Sequence, residues 1–134
     1  MLFPMYLLDS DILVFLKRGR FHIQERVNQV GLSNCVLSEI SLAELYVGVY
    51  KNNEAGQLHL MELLENLFEV VPITTALKTY AQIRVQLEAQ GNRLEDMDLF
   101  IAATALANDY TLVTHNTRHF SRIPGLKLED WIEE

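Results

Sequence analysis

Short unbroken apolar runs alternate along this chain with longer stretches in which apolar residues recur every three or four positions. Such short runs, bounded by turn residues, predict strands buried on both faces, and the longer pattern predicts helices with one face against a core. Met5 to Leu8, Asn34 to Leu37, Phe68 to Val71 and Thr111 to Thr114 read as strands, the third stopped by Pro72, and Leu126 to Leu128 is a candidate edge strand. Helical spacing runs from Ser10 to Lys17, breaks at Arg18-Gly19-Arg20, and resumes from Phe21 to Val30. Further helices are expected over Ser41 to Tyr50 and Glu54 to Leu67, separated by Asn52-Asn53. Another spans Thr75 to Gln90, with Leu77, Tyr80, Ala81, Ile83 and Leu87 broadly on one face and Gly91-Asn92 as its stop. Met97 to Ala107 is apolar almost all round and therefore central, and His115 to Phe120 forms a turn or short helix. Strands separated by helices need crossovers. The expected architecture is thus α/β, a three-layer α/β/α sandwich around a mainly parallel sheet of four or five strands.

With 134 residues, 49% hydrophobic and 22% charged, the chain is expected to form a single domain with a real core and little disorder. No apolar run approaches the roughly 20 residues needed to span a bilayer. The opening MLFPMYLLDSD lacks the basic segment of a signal peptide, so a cytoplasmic protein without membrane contact is expected. Cys35 is the only cysteine, which rules out an internal disulfide, and its neighbours Val36 and Leu37 make it a buried strand residue rather than a reactive thiol. The net charge of −7 excludes binding of nucleic acid by blanket electrostatics. Any such contact must be local, at Lys17, Arg18, Arg20 and Arg26 or at Arg118, His119 and Arg122; the same two clusters could equally be solvated faces.

Carboxylates fall repeatedly where apolar runs start or stop: Asp9 and Asp11 in YLLDSDIL, Glu44 in SLAELYVGVY, and Asp96 and Asp98 in LEDMDLFIAATALA. TLVTHNTRHF ends another run with His115 and Asn116. Each acid has an ordinary structural explanation. Ser41-x-x-Glu44 is formally a capping box, Asp98 would suit the first turn of a helix, and Asp96 and Asp9 could each cap one. Parallel topology, however, would bring the ends of the first and fourth strands together with the helix starts at Glu44 and Asp98. Carboxylates crowded at one sheet edge repel one another unless a cation neutralises them. The donors are all oxygens, with no cysteine pair and no histidines at zinc spacing, which favours Mg²⁺ or Mn²⁺. Metal-assisted hydrolysis of a phosphodiester by a metal-activated water is the chemistry such a set supports.

These segments also resemble the PIN-domain ribonucleases, specifically the VapC-type toxins of bacterial toxin–antitoxin pairs. YLLDSDIL is similar to the family's opening motif, LDTN between hydrophobic residues. SLAELYVGVY resembles its second, in which an acid precedes Leu and, three residues on, Gly; here these are Glu44, Leu45 and Gly48. MDLFIAATALANDYTLVTHNTRHFSRIPGLKLEDW resembles the third and fourth motifs with the typical tail. The resemblance implies an Mg²⁺- or Mn²⁺-dependent endoribonuclease with Asp9, Glu44 and Asp98 as its main acids and metal ligands. Asn116 matches the fourth catalytic position, Asp in some members and Asn in others, and Thr114 is the small hydroxyl residue before that turn. Asp11 departs from the usual Asn, and would either add a charge to the pocket or cap a helix; Asp96 would act from behind the ligands or structurally. Lys17, Arg18, Arg118 and Arg122 are the candidate RNA contacts. The ending is similar to the branch that targets initiator tRNA. A small VapB-type antitoxin is the implied partner and a homodimer the implied assembly. Tyr46, Val49 and Tyr50 on one helix, with Leu60, Leu63, Leu64 and Phe68 near the next, would line a groove between the two for the antitoxin.

Two other readings fit parts of the pattern. D-x-D after a buried strand also resembles the haloacid dehalogenase-like phosphatases, with Asp9 as nucleophile, although Ile12 follows the second acid and the chain is short for that fold. A non-catalytic phosphoacceptor module of receiver type would need an acid ending the third strand, which instead ends Val70-Val71-Pro72.

Overall fold

Alternate residues of a strand face opposite sides of a sheet, and here that alternation sorts the apolar side chains into two cores. The computed structural model describes residues 4–53 and 56–132. In β1 (Tyr6–Leu8), Leu7 belongs to one core and Leu8 to the other. β2 (Cys35–Ser38) sends Val36 to the side of Leu7 and Cys35 and Leu37 to the side of Leu8, and β4 (Thr111–Val113) divides Leu112 and Val113 in the same way. Register explains the match, because Leu7 pairs with both Val36 and Leu112, and Leu8 with Val113. With β3 (Glu69–Val71) and β5 (Lys127–Glu129) these make a five-stranded sheet, all parallel, in the order β3-β2-β1-β4-β5. The two edge strands carry charged residues and the three central ones carry none, which is how a sheet keeps its open edges from pairing with other chains.

Four helices contribute to the core on the Leu8 side: α1 (Ser10–Lys17), α2 (Ile23–Val30), α3 (Glu39–Lys51) and α4 (Gln57–Leu67). On the Leu7 side lie α5 (Leu77–Ala89) and α6 (Asp96–Ala107), followed after β4 by the short α7 (Thr117–Phe120). The expected three-layer sandwich is therefore present, with the full five strands. α6 is the central helix its composition predicts, burying Leu99 and every residue from Ile101 to Ala105. No helix among the described residues is long and apolar enough to cross a membrane.

Several boundaries differ from the sequence pattern for identifiable reasons. Phe21 and His22 both adopt left-handed backbone conformations, so α2 begins only at Ile23; Phe21 instead packs edge-on against Phe15, ring centroids 4.8 Å apart. The buried stripe of the α5 region is Ala76, Ile83 and Leu87, with Tyr80 partly buried against it, and Leu77 and Ala81 lie outside it. A 3-10 turn over Ile73–Ala76 shifts the helix phase relative to an α-helix begun at Thr75. Glu54, taken as the start of the fourth helix, lies outside the described residues, and α4 begins at Gln57.

The strand order decides where a site can form. After β1 the chain builds outward to β2 and β3, and after β4 it builds the opposite way to β5. Between β1 and β4 the direction of winding reverses, and a crevice opens beyond the carboxyl ends of those two strands.

Candidate active site

Asp9 is the first residue after β1 and stands in that crevice, almost fully buried. Its backbone N–H continues the sheet ladder to Val113 O at 2.9 Å. Its Oδ1 accepts from the Ser10 N–H at 2.8 Å, which makes it the N-cap of α1, while Oδ2 accepts from the Thr114 hydroxyl at 2.9 Å. Thr114 follows β4, is wholly buried, and accepts the Asn116 N–H on the same oxygen at 3.1 Å. A longer contact of 3.4 Å joins that hydroxyl to Asp11 Oδ2, which also accepts the His115 N–H at 3.0 Å. Asp11 therefore sits in the first turn of α1 and ties it to the turn after β4.

Glu44 comes from α3. The capping box anticipated for Ser41 and Glu44 does not form, because α3 starts earlier: Ser38 is its N-cap, accepting the Ile40 N–H at 3.0 Å. Glu44 is thus in the second turn and faces the crevice, with Oε1 buried and without a hydrogen-bond partner. Asp98 sits in the first turn of α6, and its Oδ2 lies 3.0 Å from His119 Nε2 on α7. Asp96 points elsewhere. It is the first residue of α6 rather than the cap, which is Glu95, and its Oδ1 accepts the Tyr80 hydroxyl at 2.8 Å and Arg84 Nη1 at 3.4 Å. With Tyr80 stacked on Phe100 at 3.9 Å, this fastens the start of α6 to α5 and so fixes where Asp98 stands.

The electrostatics are those of an uncompensated acidic cluster. Burial and then the neighbouring Asp11 push the Asp9 carboxyl up to about 7, and the bonds from Ser10 and Thr114 offset this only in part. Burial and then Asp98 raise Glu44, against a hydrogen bond from the Ser10 hydroxyl, and burial raises Asp11. The main charged groups acting on these three acids are other acids, with His115 lowering Asp11. A phosphatase built on Asp9 would need a lysine there. Oxygen donors in excess and a buried carboxylate oxygen with no partner fit a hard divalent ion. As the side chains stand, no group of three or more His, Cys, Asp or Glu among the described residues is gathered closely enough to hold one, and Asp98 is engaged with His119.

The remaining candidates are placed as follows. Asn116 is exposed at the start of α7, and Arg118 and Arg122 are exposed on and just after it. Lys17 and Arg18 line a groove that includes Glu44. The groove expected between α3 and α4 is largely polar: Val49 and Leu60 line it beside Lys17, Arg18 and Glu44, while Leu64 is buried where the helices meet and Tyr46 bonds Glu65 Oε1 at 2.6 Å. An apolar groove of about 330 Å³ lies instead where α4 meets α1 and α2, lined by Leu16, Val27, Leu32, Leu63, Leu67 and Phe68 among others. Cys35 is buried, and burial pushes its thiol up to about 11, as befits an inert core residue. Ser10 as a partner of Glu44 and His119 as a partner of Asp98 escaped the sequence reading. His119 had only its charge to suggest a role, and the signal was its place one turn beyond Asn116.

The PIN domain family matches residues 6–126. The chain belongs to this family. It is 35% identical over 131 residues to Ribonuclease VapC1 of Haemophilus influenzae (strain R2866), covering 94% of this chain and 97% of the relative. It is 33% identical over 129 residues to the tRNA(fMet)-specific endonuclease VapC of Salmonella typhimurium (strain LT2), with 94% and 97% covered. Among solved structures, the VapBC2 complex of Rickettsia felis bound to a promoter DNA fragment superposes with a TM-score of 0.86 at 30% identity, covering 95% of this chain and 98% of that one.

The raised Asp9 carboxyl makes stability depend on pH in a defined direction. Between its ordinary value of 3.8 and about 7, the folded protein holds a proton that the unfolded chain has released. Stability is therefore lost as pH rises through that window, by on the order of 4 kcal/mol at about 1.4 kcal/mol per pKa unit. Asp11 and Glu44 act in the same sense. Metal-free protein in EDTA should show a lower Tm at pH 8 than at pH 5.5. Asp9→Asn should flatten the profile, and Asp11→Asn should move its midpoint to lower pH. A profile equally steep in Asp9→Asn would place the titrating group elsewhere.

Proposed function

We propose that this protein is a divalent-metal-dependent endoribonuclease and the toxin of a VapBC-type pair. The observation that carries the reading is the convergence of Asp9, Glu44 and Asp98 on the crevice between β1 and β4, with Glu44 Oε1 buried and unpartnered. Asp9, Glu44 and Asp98 would hold Mg²⁺ or Mn²⁺, directly or through waters. Such an ion, when bound, supplies stabilisation of the charge that develops on phosphoryl oxygens and acidifies a water near them. Hydrolysis joins the oxygen of water to phosphorus and releases a ribose oxygen, which takes up a proton.

The chain's own residues set the geometry for this. The Thr114 hydroxyl fixes one oxygen of Asp9 and the Ser10 amide the other, so the carboxylate cannot rotate. His119 holds Asp98 by one oxygen and leaves the other for an ion, as outer partners orient ligating carboxylates. Asn116, at the rim, would orient water or the RNA, and Lys17, Arg18, Arg118 and Arg122 would take phosphates. The substrate is RNA, with tRNA the leading candidate by likeness to the Salmonella relative. The groove between α4 and α1–α2 would receive an amphipathic segment of a VapB-type antitoxin, in the manner of a helix lying in an apolar groove. Two copies would pair as a cytoplasmic homodimer.

Purified protein should cleave RNA with Mg²⁺ or Mn²⁺ and lose that activity in EDTA. Asp9→Asn, Glu44→Gln and Asp98→Asn should each lower cleavage by about 100-fold or more while keeping the fold, since even outer partners of a metal contribute about 10–100-fold. Full cleavage in EDTA, with residual metal verified as negligible, would sink the metal-dependent reading. Co-expression with the small protein encoded beside it should yield an inactive complex; an active monomer under those conditions would remove the toxin assignment and leave the nuclease.

Titration calorimetry separates the role of His119 from that of the acids. His119→Ala should weaken Mn²⁺ binding by about 10–100-fold with little change in Tm. Tighter binding in that variant would instead show that His119 competes with the ion for Asp98.

A further inference from the structure

A polar groove of about 340 Å³ takes in Glu44 and lies between the last turn of α1, the second half of α3 and the start of α4. Lys17 and Arg18 line it at the end of α1, Glu44, Gly48 and Asn52 along α3 and its C-cap, and Gln57 from α4, together with apolar Val14, Leu45, Val49 and Leu60. Glu44, Gly48 and Asn52 are spaced four residues apart and share one face, so Gly48 is the position one turn along from the acid. Gly48 is odd in its place. It has no positive φ, and a Cβ built on it would meet nothing within 4 Å. Neither backbone conformation nor close packing within the chain calls for a glycine, and one inside a 13-residue helix weakens that helix relative to alanine. The missing side chain leaves room on the outside.

The lining identifies what uses that room. Beside Glu44 and four apolar residues, two cations and two side-chain amides line it, and neither Lys17 nor Arg18 is paired with an acid among the described residues. In a chain of net charge −7 this is a local cationic stretch adjoining the acidic crevice. An apolar peptide face would be better served by the groove on the other side of α4, and a phosphate-bearing strand by this one. We propose that this groove carries the RNA backbone leading to the acids, with Gly48 admitting a ribose–phosphate segment against α3 and Lys17 and Arg18 holding its phosphates. The inference rests on the ribonuclease reading and adds to it a path for the substrate and a residue that keeps the path open.

The test uses full-length protein and a fluorescein-labelled tRNA(fMet) transcript, with binding read by anisotropy in EDTA and cleavage read in Mn²⁺. Gly48→Ala should raise Tm by about 2–6 °C yet weaken RNA binding, and Gly48→Leu should weaken it further, by about tenfold or more. Mn²⁺ binding should be unchanged in both. Lys17→Ala and Arg18→Ala should each reduce the slope of log affinity against log salt by roughly 0.7, and Gly48→Leu should add little on top of the double Lys17→Ala, Arg18→Ala variant, since all act on one contact. Wild-type protein that neither binds nor cleaves RNA would overturn the ribonuclease reading itself. Active wild type with unaltered RNA binding in Gly48→Ala and in the lysine and arginine variants would overturn the groove alone, whether or not Gly48→Leu folds. So would a Gly48→Leu variant that keeps RNA binding and loses the antitoxin, because the groove would then belong to the protein partner.

Discussion

Pairing of β1 with β4 brings Asp9 and Thr114, 105 residues apart in sequence, into a buried hydrogen bond of 2.9 Å. The ladder runs past the last paired residues, with the Asp9 N–H on Val113 O, and the side chains then continue what the backbone began. That single junction fixes the end of β1, the cap of α1 and the turn before α7. Asp11 reinforces it by accepting the His115 N–H across the same gap. Every other site residue is positioned relative to this junction: Glu44 by α3, which packs on α1, and Asp98 by α6, which is held to α5 through Asp96, Tyr80 and Arg84. A buried carboxylate at the middle of a sheet is tolerated because its oxygens have donors, in keeping with the high cost of leaving such a group unpaired.

The junction is satisfied in hydrogen bonds and unsatisfied in charge. Asp9 is driven up to about 7 by burial and by Asp11, and Glu44 is raised by burial and Asp98 while one of its oxygens has no partner at all. A core optimised for stability alone would place an apolar residue or a paired cation at such positions. Proteins depart from local optimality of this kind at functional sites, where the strain is relieved by what binds. On the proposed reading, the orphan Glu44 oxygen is a position where a bound ion would supply the missing partner.

Much of this was legible in the sequence because the governing signals were local. Four apolar runs gave the principal strands, the period of helix spacing gave the layers, and the repeated position of acids at element ends gave the crevice once parallel order was assumed. What failed was phase and partnership. Ser41-x-x-Glu44 has the letters of a capping box, but Ser38 lies at the true end of β2 and takes the cap, which pushes Glu44 a turn inward and turns a structural explanation into a functional one. The Leu77 to Leu87 stripe was shifted by a 3-10 turn that no periodicity announces. Large side chains on α3 and α4 suggest an apolar groove between them, whereas Val49 and Leu64 are buried, Tyr50 stands exposed, and the exposed leucines Leu63 and Leu67 line the groove toward α1 and α2. His119 and Ser10 could not be found by type. Their importance is in whom they touch, and that depends on the fold.

The acidic balance of the chain bears on how it could handle a polyanion. A net charge of −7 opposes RNA at a distance, and the acids concentrated at the crevice oppose it most where a phosphate must come to rest. Bound cation offsets much of that local charge, so on the proposed reading the ion lets the scissile phosphate settle among the acids as well as supporting its hydrolysis. Lys17 and Arg18 then have a defined task. They need not overcome the whole charge of the protein, only fix the strand beside a pocket already neutralised. Their place next to Glu44, on a groove kept clear at Gly48, is where a few cations can matter in an acidic protein. The same arrangement exposes the site to competition, since a basic side chain delivered by a protein partner would neutralise the acids without any ion and leave no charge to bring the RNA in.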